Sequence, residues 1–112
     1  MPLSPQTALI APEKLRDYVL SLSHPDGESK ARFLREMGYD HRSWEVLEAD
    51  LRKQHLSQKA LPGKKSIYGE KYEIIAPLVG PNGEKRWLRS IWMIRTGETV
   101  AHFITLIPEK QP

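Results

Sequence analysis

The chain has 112 residues, a formal net charge of +3 and no cysteine. Its length fits one domain with one core, and its content of 39% hydrophobic and 28% charged residues is ordinary for a soluble globular protein and excludes the disordered and membrane classes. The lack of cysteine excludes a disulfide framework, a thiolate zinc site and a cysteine nucleophile, while the modest positive charge favours a polyanionic partner without requiring one.

Three amphipathic helices are predicted in the first half of the chain, near residues 12–22, 28–38 and 41–55. The first has proline at its start and apolar residues at helical spacing, namely Leu15, Tyr18, Val19 and Leu22. Gly38 suits the left-handed end of the second helix, and Asp40 suits the cap of the third. The apolar faces of these helices must pack against another layer of the structure. We therefore predict that the helices share one core.

The residues before and after these helices are predicted to be irregular. Residues 1–11 contain two prolines and no clear period, so we expect a flexible lead-in, although Leu9 and Ile10 can add a short edge strand. The segment 54–65 has few apolar residues and contains Pro62-Gly63. This composition predicts a loop.

The second half of the chain has the pattern of an antiparallel sheet. β-branched and aromatic residues are concentrated in three runs, 67–79, 84–96 and 100–107. Between the first two runs, the sequence Gly80-Pro81-Asn82-Gly83 is a strong hairpin signal, and a second turn is predicted at 96–99. The three runs therefore form a meander.

The order of the elements predicts the fold class. Helices followed by strands indicate an α+β fold, with three N-terminal helices packed on a C-terminal antiparallel sheet of three or four strands. We expect one domain over residues 12–108, followed by a short tail at 109–112.

The stretch from Ser23 to Lys30 combines a histidine, a turn and a cation at the start of a predicted helix. Pro25 favours an extended His24, and Asp26-Gly27 supplies turn chemistry before Lys30. The unpaired N–H groups of a helix start, together with His24 and Lys30, can hold a phosphate-like anion. The same residues also fit a capped turn between two helices, in which acidic residues already neutralise the helix end. Both interpretations stay open at this point.

The chain also resembles a small bacterial family of unknown function over about residues 12 to 108. The residues that carry the resemblance are the segment 15–20, His24-Pro25, Gly27, the segment 29–33, Met37-Gly38-Tyr39, Tyr68-Gly69, Tyr72, Gly80-Pro81-Asn82-Gly83 and Arg89-Ser90-Ile91-Trp92. Members of similar sequence occur as small stand-alone proteins, and related segments occur beside phage head-morphogenesis proteins and at the C-terminal ends of large secreted toxin-like proteins. The order of helices and strands is similar to that of barnase-like, metal-independent ribonuclease toxins, which implies that activity by analogy of fold.

A ribonuclease of that type needs two proton-transfer groups and a fixed cation. When the ribose 2′-hydroxyl attacks the adjacent phosphate, one group takes a proton, another gives one to the leaving oxygen, and a cation stabilises the phosphorane. His24 is the candidate for one proton transfer, because histidine is the side chain that titrates near neutral pH. Lys30 and Arg89 are the candidates for the cation, and an arginine suits bidentate phosphate contact. We therefore predict that His24, Lys30 and Arg89 share one pocket as catalytic residues.

Four further residues are predicted to bind the substrate. Ser90 or Thr105 can hydrogen-bond the phosphate, and Tyr68 or Tyr72 can stack on a base or donate a proton. The motifs contain no second histidine for the other proton transfer. His102 in the last strand is either that partner or a strand residue that faces solvent.

Some of these basic residues have purely structural explanations as well. Arg89 can be a surface arginine that packs its stem beside Trp87 and Met93. His41 and His55 flank the third helix, and both are predicted to be exposed to solvent.

Three functions are compatible with the sequence. The first is a toxin-like, metal-independent ribonuclease; the second is a non-enzymatic module that binds a toxin, an antitoxin or a phage-associated protein; the third is a nucleic-acid binder without catalysis. Signatures of zinc sites, nucleotide-binding loops and Ser-His-Asp triads are absent, so neither a metal nor a cofactor is predicted. Without an apolar run of membrane length or a secretory signal, we expect a cytoplasmic protein with no membrane partner.

Overall fold

The computed structural model describes residues 3–24 and 28–112, and its strands form one antiparallel sheet in the order β1-β2-β3-β4. The strands are Leu61–Ser66 (β1), Gly69–Val79 (β2), Lys85–Arg95 (β3) and Ala101–Pro108 (β4). β2 and β3 pair antiparallel, with Tyr72 opposite Trp92. The predicted meander and the α+β class are therefore confirmed.

Three helical regions precede the sheet, as the periodicity predicts. They are α1 (Pro12–Lys14) with a π-helical continuation (Leu15–Val19), α2 (Glu28–Arg35), and a 3-10 turn (His41–Ser43) that leads into α3 (Trp44–Asp50) and its π-helical continuation (Leu51–His55). α2 is shorter than expected because its last turn tightens: the N–H groups of Met37 and Gly38 donate to carbonyls three residues back, at 3.0 and 2.9 Å. Gly38 then turns the chain at a φ of 95°, the left-handed conformation predicted for it. No helix of the described chain is both long enough and apolar enough to cross a membrane.

The core lies between the helices and one face of the sheet. Along β2 and β3, residues with even numbers are buried on this face, among them Ile74, Ala76, Leu78, Leu88, Ser90 and Trp92. Residues with odd numbers point to the opposite side, which we call the outer face, because successive strand side chains alternate. Trp92 is fully buried and packs edge-to-face on Phe103 of β4, with ring centroids 5.3 Å apart.

β1 corrects the predicted loop at residues 54–65. Leu61 lies opposite Glu73 of β2, and the register is irregular between Pro62 and Lys65. All six residues of β1 are exposed, so backbone pairing rather than side-chain burial holds the strand at the edge. Its residues show no apolar alternation from which a strand could be predicted. An edge strand with proline and lysine resists pairing with other chains.

The segment that we expected to be a flexible lead-in contributes to the core. Its buried side chains are Leu3, Ala8 and Ile10. Leu9 forms a parallel bridge with His102 of β4, which matches the short edge pairing considered from the sequence. The guanidinium of Arg52 donates to the carbonyls of Pro5 and Ala8 at 3.0 and 2.8 Å, which ties this segment to the third helical region.

The turn between β2 and β3 docks on the end of α2. The Asn82 side-chain amide donates to the carbonyl of Glu36 at 2.8 Å, and its backbone N–H donates to the carbonyl of Met37 at 3.3 Å. Gly80 approaches Met37 so closely that a Cβ added to it would lie 2.1 Å from that carbonyl oxygen. The hairpin motif thus turns the chain, and it also provides N–H donors for the carbonyl groups at the end of the helix.

Candidate functional site

Side chains from four parts of the chain meet around the phenol of Tyr18. The His24 ring stands edge-on to the Tyr18 ring, with centroids 4.9 Å apart. The Lys30 ammonium donates to Tyr18 Oη at 2.6 Å and to Thr105 Oγ1 at 3.1 Å, and it lies 4.7 Å from the centroid of the Tyr18 ring. We call Tyr18, His24, Lys30 and Thr105 the Tyr18 cluster. Three of the predicted site residues, His24, Lys30 and Thr105, therefore come together.

Local structure brings these side chains to one place. Tyr18 is near the end of the first helical region, and Lys30 is in the first turn of α2. Between them, the backbone N–H of Glu28 donates to the carbonyl of His24 at 3.0 Å, which closes the connection between the two helices. Thr105 lies on β4 opposite Ile91, beside the register irregularity in the pairing of β3 with β4. The predicted turn at Pro25, Asp26 and Gly27 falls outside the described residues.

The Tyr18 cluster is positively charged and partly accessible. All four of its side chains are half-buried. Lys30 donates to two neutral oxygens, and the ammonium of Lys14 lies 5.9 Å from the centroid of the Tyr18 ring. Within residues 3–24 and 28–112, neither lysine takes part in an ion pair. Ammonium groups over an aromatic face gain cation–π stabilisation. Chemically, this arrangement can hold an anion next to a histidine and a phenol.

The hydrogen bonds of Arg89 within the described residues go to side chains outside the Tyr18 cluster. Its guanidinium donates to Glu109 at 2.7 Å and to Glu73 at 2.9 Å, on the outer face of the sheet. The hydrogen bond to Glu109, together with the charge of Glu73, raises the pKa of Arg89. We expected the guanidinium N–H groups of Arg89 to bind a phosphate, but they donate to these two carboxylates instead. The sequence motif alone did not reveal this pairing.

Ser90 is removed from any substrate contact by its burial. It has no exposed surface, and its hydroxyl lies 2.8 Å from Nδ1 of His55 and 2.9 Å from Nε1 of Trp92. His55 is likewise completely buried, so the prediction that it faces solvent was wrong. The cause is tertiary, because its ring fills space between the third helical region and β2, where Nε2 lies 3.2 Å from the carbonyl of Ala76.

The two predicted tyrosines lie apart from each other. Tyr68 is 73% exposed at the tip of the β1–β2 hairpin, where its backbone carbonyl accepts from Thr96. Tyr72 packs against the core on the helical side of the sheet, opposite Trp92. His102 lies on β4, and its Nε2 is 2.9 Å from Glu98.

Sequence reasoning missed Tyr18 as a site residue. Tyr18 was assigned to the apolar stripe of the first helix, and its ring does pack against the core. Its hydroxyl end, however, accepts from Lys30. A tyrosine on an amphipathic stripe offers such a polar end, and this was the available signal. Among the described residues, no three His, Cys, Asp or Glu side chains are placed to hold a metal ion.

A family model described as "Domain of unknown function (DUF6883)" matches residues 4–110, and the chain belongs to this family. The comparison with curated proteins finds no match. Among solved structures, a chain of "Contact-dependent growth inhibition toxin - immunity protein complex from Klebsiella pneumoniae 342" is similar, with a TM-score of 0.70 and 15% identity over 96% of this chain and 97% of that chain. The likeness to that chain is one of fold.

Proposed function

We propose that this protein is a toxin-type, metal-independent ribonuclease that cleaves RNA at the Tyr18 cluster. The observation that supports this most is that His24 and Lys30 meet around one phenol with Thr105, which lies 75 residues beyond Lys30 in the chain. The fold shared with a chain of a toxin–immunity protein complex supports a toxin-related setting. Arg89, paired with Glu73 and Glu109, has no part in this proposal.

The proposed reaction is transesterification within the RNA. The 2′-oxygen forms a bond to phosphorus as its proton is taken by a base, and the bond from phosphorus to the 5′-oxygen breaks as that oxygen receives a proton. The products are a 2′,3′-cyclic phosphate and a 5′-hydroxyl. His24 serves one proton transfer, and the Tyr18 phenol serves the other. Lys30 stabilises the phosphorane, and the Thr105 hydroxyl, which accepts from Lys30, donates its own proton to a phosphate oxygen.

Tyr18 is suited to its role by its neighbour. The Lys30 ammonium donates to Oη at 2.6 Å, and this bond holds the phenol beside the cation that stabilises the phosphorane. This assignment supplies the second proton-transfer group that the sequence motifs lacked. His102 is not needed for it, since its ring is engaged with Glu98.

Cleavage of total RNA by the purified protein tests the proposal. The assay is run in chelator and in magnesium at several pH values, and the ends of the products are mapped. We expect cleavage in both conditions and cyclic phosphate ends, and His24→Ala is expected to lower the rate by roughly a hundredfold. The matched control is His41→Ala, which removes a histidine that contacts Asp40 instead of the cluster. RNA left intact by the wild-type protein under every condition would reject the ribonuclease.

A protein-binding module is the second candidate, and one observation favours it. The tip of the β1–β2 hairpin presents Ile67 and Tyr68, which are 83% and 73% exposed. Adjacent large apolar side chains with this exposure are typical anchors for a protein partner. If RNA stays uncut, a Tyr68→Ser variant tested against a cognate partner protein becomes the next experiment.

A further inference from the structure

A groove lies between the N-terminal segment and β4, on the side of the molecule that carries Lys14. Its volume is about 440 Å³. Residues that line it include Leu9, Lys14, Arg95, His102, Phe103 and Ile104. A groove of this size is in the range of small-ligand sites, which run from roughly 300 to 1,000 Å³.

The charge of the groove has one sign. Its titratable lining residues, Lys14, Arg95 and His102, are all basic. His102 is engaged with Glu98, whereas Lys14 and Arg95 are exposed, and no ion pair holds either of them in the described part of the chain. Two unneutralised cations on one groove favour an anionic occupant, and a phosphodiester is the anion that a ribonuclease meets.

The walls of the groove are apolar. Leu9 is 52% exposed although it is part of a backbone bridge to β4, and Phe103 and Ile104 lie on the opposite strand. Apolar walls beside cations suit a nucleotide, whose base packs on the wall while its phosphate meets the cation. The ring of His102 adds a surface on which a base can stack.

Two lining residues of the groove are neighbours of the Tyr18 cluster. Lys14 lines the groove and also places its ammonium 5.9 Å from the centroid of the Tyr18 ring. Ile104 lines the groove, and the next residue, Thr105, accepts a hydrogen bond from Lys30. An RNA segment in the groove would therefore lie next to the proposed site of cleavage.

We infer that this groove binds the single-stranded RNA segment that flanks the scissile phosphate, with Arg95 and Lys14 holding its backbone. The inference rests on the proposed function, because it takes the Tyr18 cluster as the point of cleavage. The groove would thereby hold the flanking RNA segment, while the scissile phosphate lies at the Tyr18 cluster.

Binding of a fluorescein-labelled 2′-O-methyl oligonucleotide, measured by fluorescence anisotropy, tests the groove separately from cleavage. This probe lacks the attacking hydroxyl, so it stays intact. Arg95→Glu is expected to weaken binding about tenfold or more, and Arg95→Ala is expected to reduce the slope of log K against log salt by about one. The matched control is Lys64→Glu, which makes the same change in charge on β1, at the far edge of the sheet.

The outcomes separate the two proposals. If Arg95→Glu and Lys64→Glu weaken binding of the oligonucleotide equally, only net charge matters. This result would overturn the inference that the groove binds RNA, even if unmodified RNA is cut in a His24-dependent way. A wild-type protein that does not bind the probe would overturn it as well. Binding that depends on Arg95, without cleavage of unmodified RNA, would support the groove and reject the ribonuclease. Melting temperatures of all variants are measured to confirm that each one is folded.

Discussion

Ser90 Oγ and His55 Nδ1 lie 2.8 Å apart in the core, where neither residue is exposed to solvent. The partners around this pair fix which nitrogen of the neutral ring carries the proton. The carbonyl of Ala76 can only accept, so Nε2 of His55 carries a proton and donates to it at 3.2 Å. The indole N–H of Trp92 donates to Ser90 Oγ, and the Ser90 hydroxyl then donates to the bare Nδ1 of a neutral imidazole.

Stability should fall as the pH is lowered through the range in which His55 titrates. Burial lowers the pKa of His55 from the usual 6.5 to about 4, while the bond to Ala76 opposes the shift. Between these pH values the unfolded chain binds a proton that the folded chain does not. The free energy of unfolding therefore decreases as the pH falls. The loss is complete near pH 4 and amounts to about 3 kcal/mol. Urea unfolding at pH 7, 6, 5 and 4 measures it.

The control for this prediction replaces the titrating ring. In His55→Gln the decline between pH 6.5 and 4 should flatten, although the variant starts from a lower stability. An equally steep decline in His55→Gln would mean that another group titrates in this range.

Ser90→Ala should destabilise the protein through the groups that it leaves behind. Nδ1 of His55 and the indole N–H of Trp92 would both lose their partner in the core. An unsatisfied buried polar group costs about 1–3 kcal/mol, so we expect a loss near the upper end of that range or beyond it. The control is Ser57→Ala, which removes an exposed hydroxyl bound to the carbonyl of Lys53 and should change stability by about 0.5 kcal/mol or less. Similar free energies of unfolding for the two variants would contradict the network's role.

Gly80→Ala should be costly although Gly80 does not need a left-handed backbone. The added Cβ would meet the carbonyl oxygen of Met37 at 2.1 Å, so either the turn or the end of α2 must move. We expect a loss of about 3 kcal/mol, the upper part of the range for overpacking. Gly97→Ala is the control: its φ is 82°, but no atom of the described residues lies within 4 Å of the new Cβ, so only the conformational cost of about 1 kcal/mol applies. Chemical denaturation ranks the two variants, and a larger loss for Gly97→Ala would contradict the close approach at Gly80.

Local patterns in the sequence were sufficient to predict most of the fold. The helical and alternating periods report which side chains are buried, and burial is what forms α3 and the β2–β3 hairpin. β1 escaped prediction because its side chains are all exposed and only its backbone is paired. The burial of the lead-in was not predicted for a related reason: its contacts, such as those of Arg52 with Pro5 and Ala8, join residues more than 40 positions apart.

The candidate site was predicted only in part. The proximity of His24 and Lys30 could be predicted because they share one short stretch with an evident chemical pattern. The partners of Arg89 could not be found, because Glu73 and Glu109 reach it only after the strands pair. His55 is buried by partners 21 and 35 residues away, and no local pattern distinguishes it from an exposed histidine at a helix end.

Tyr18→Phe separates a chemical role of the Tyr18 cluster from a structural one. The variant keeps the ring on which His24 packs and over which Lys30 lies, and it removes the Oη that accepts from Lys30. If the phenol transfers a proton, cleavage of RNA should fall by about a hundredfold, while the loss of one hydrogen bond costs only about 1 kcal/mol of stability. Tyr68→Phe, at the exposed hairpin tip, is the matched control and should leave both quantities unchanged. A Tyr18→Phe protein that is less stable yet cuts RNA at the wild-type rate would show that the phenol only anchors Lys30, and the second proton transfer would then have to come from another group.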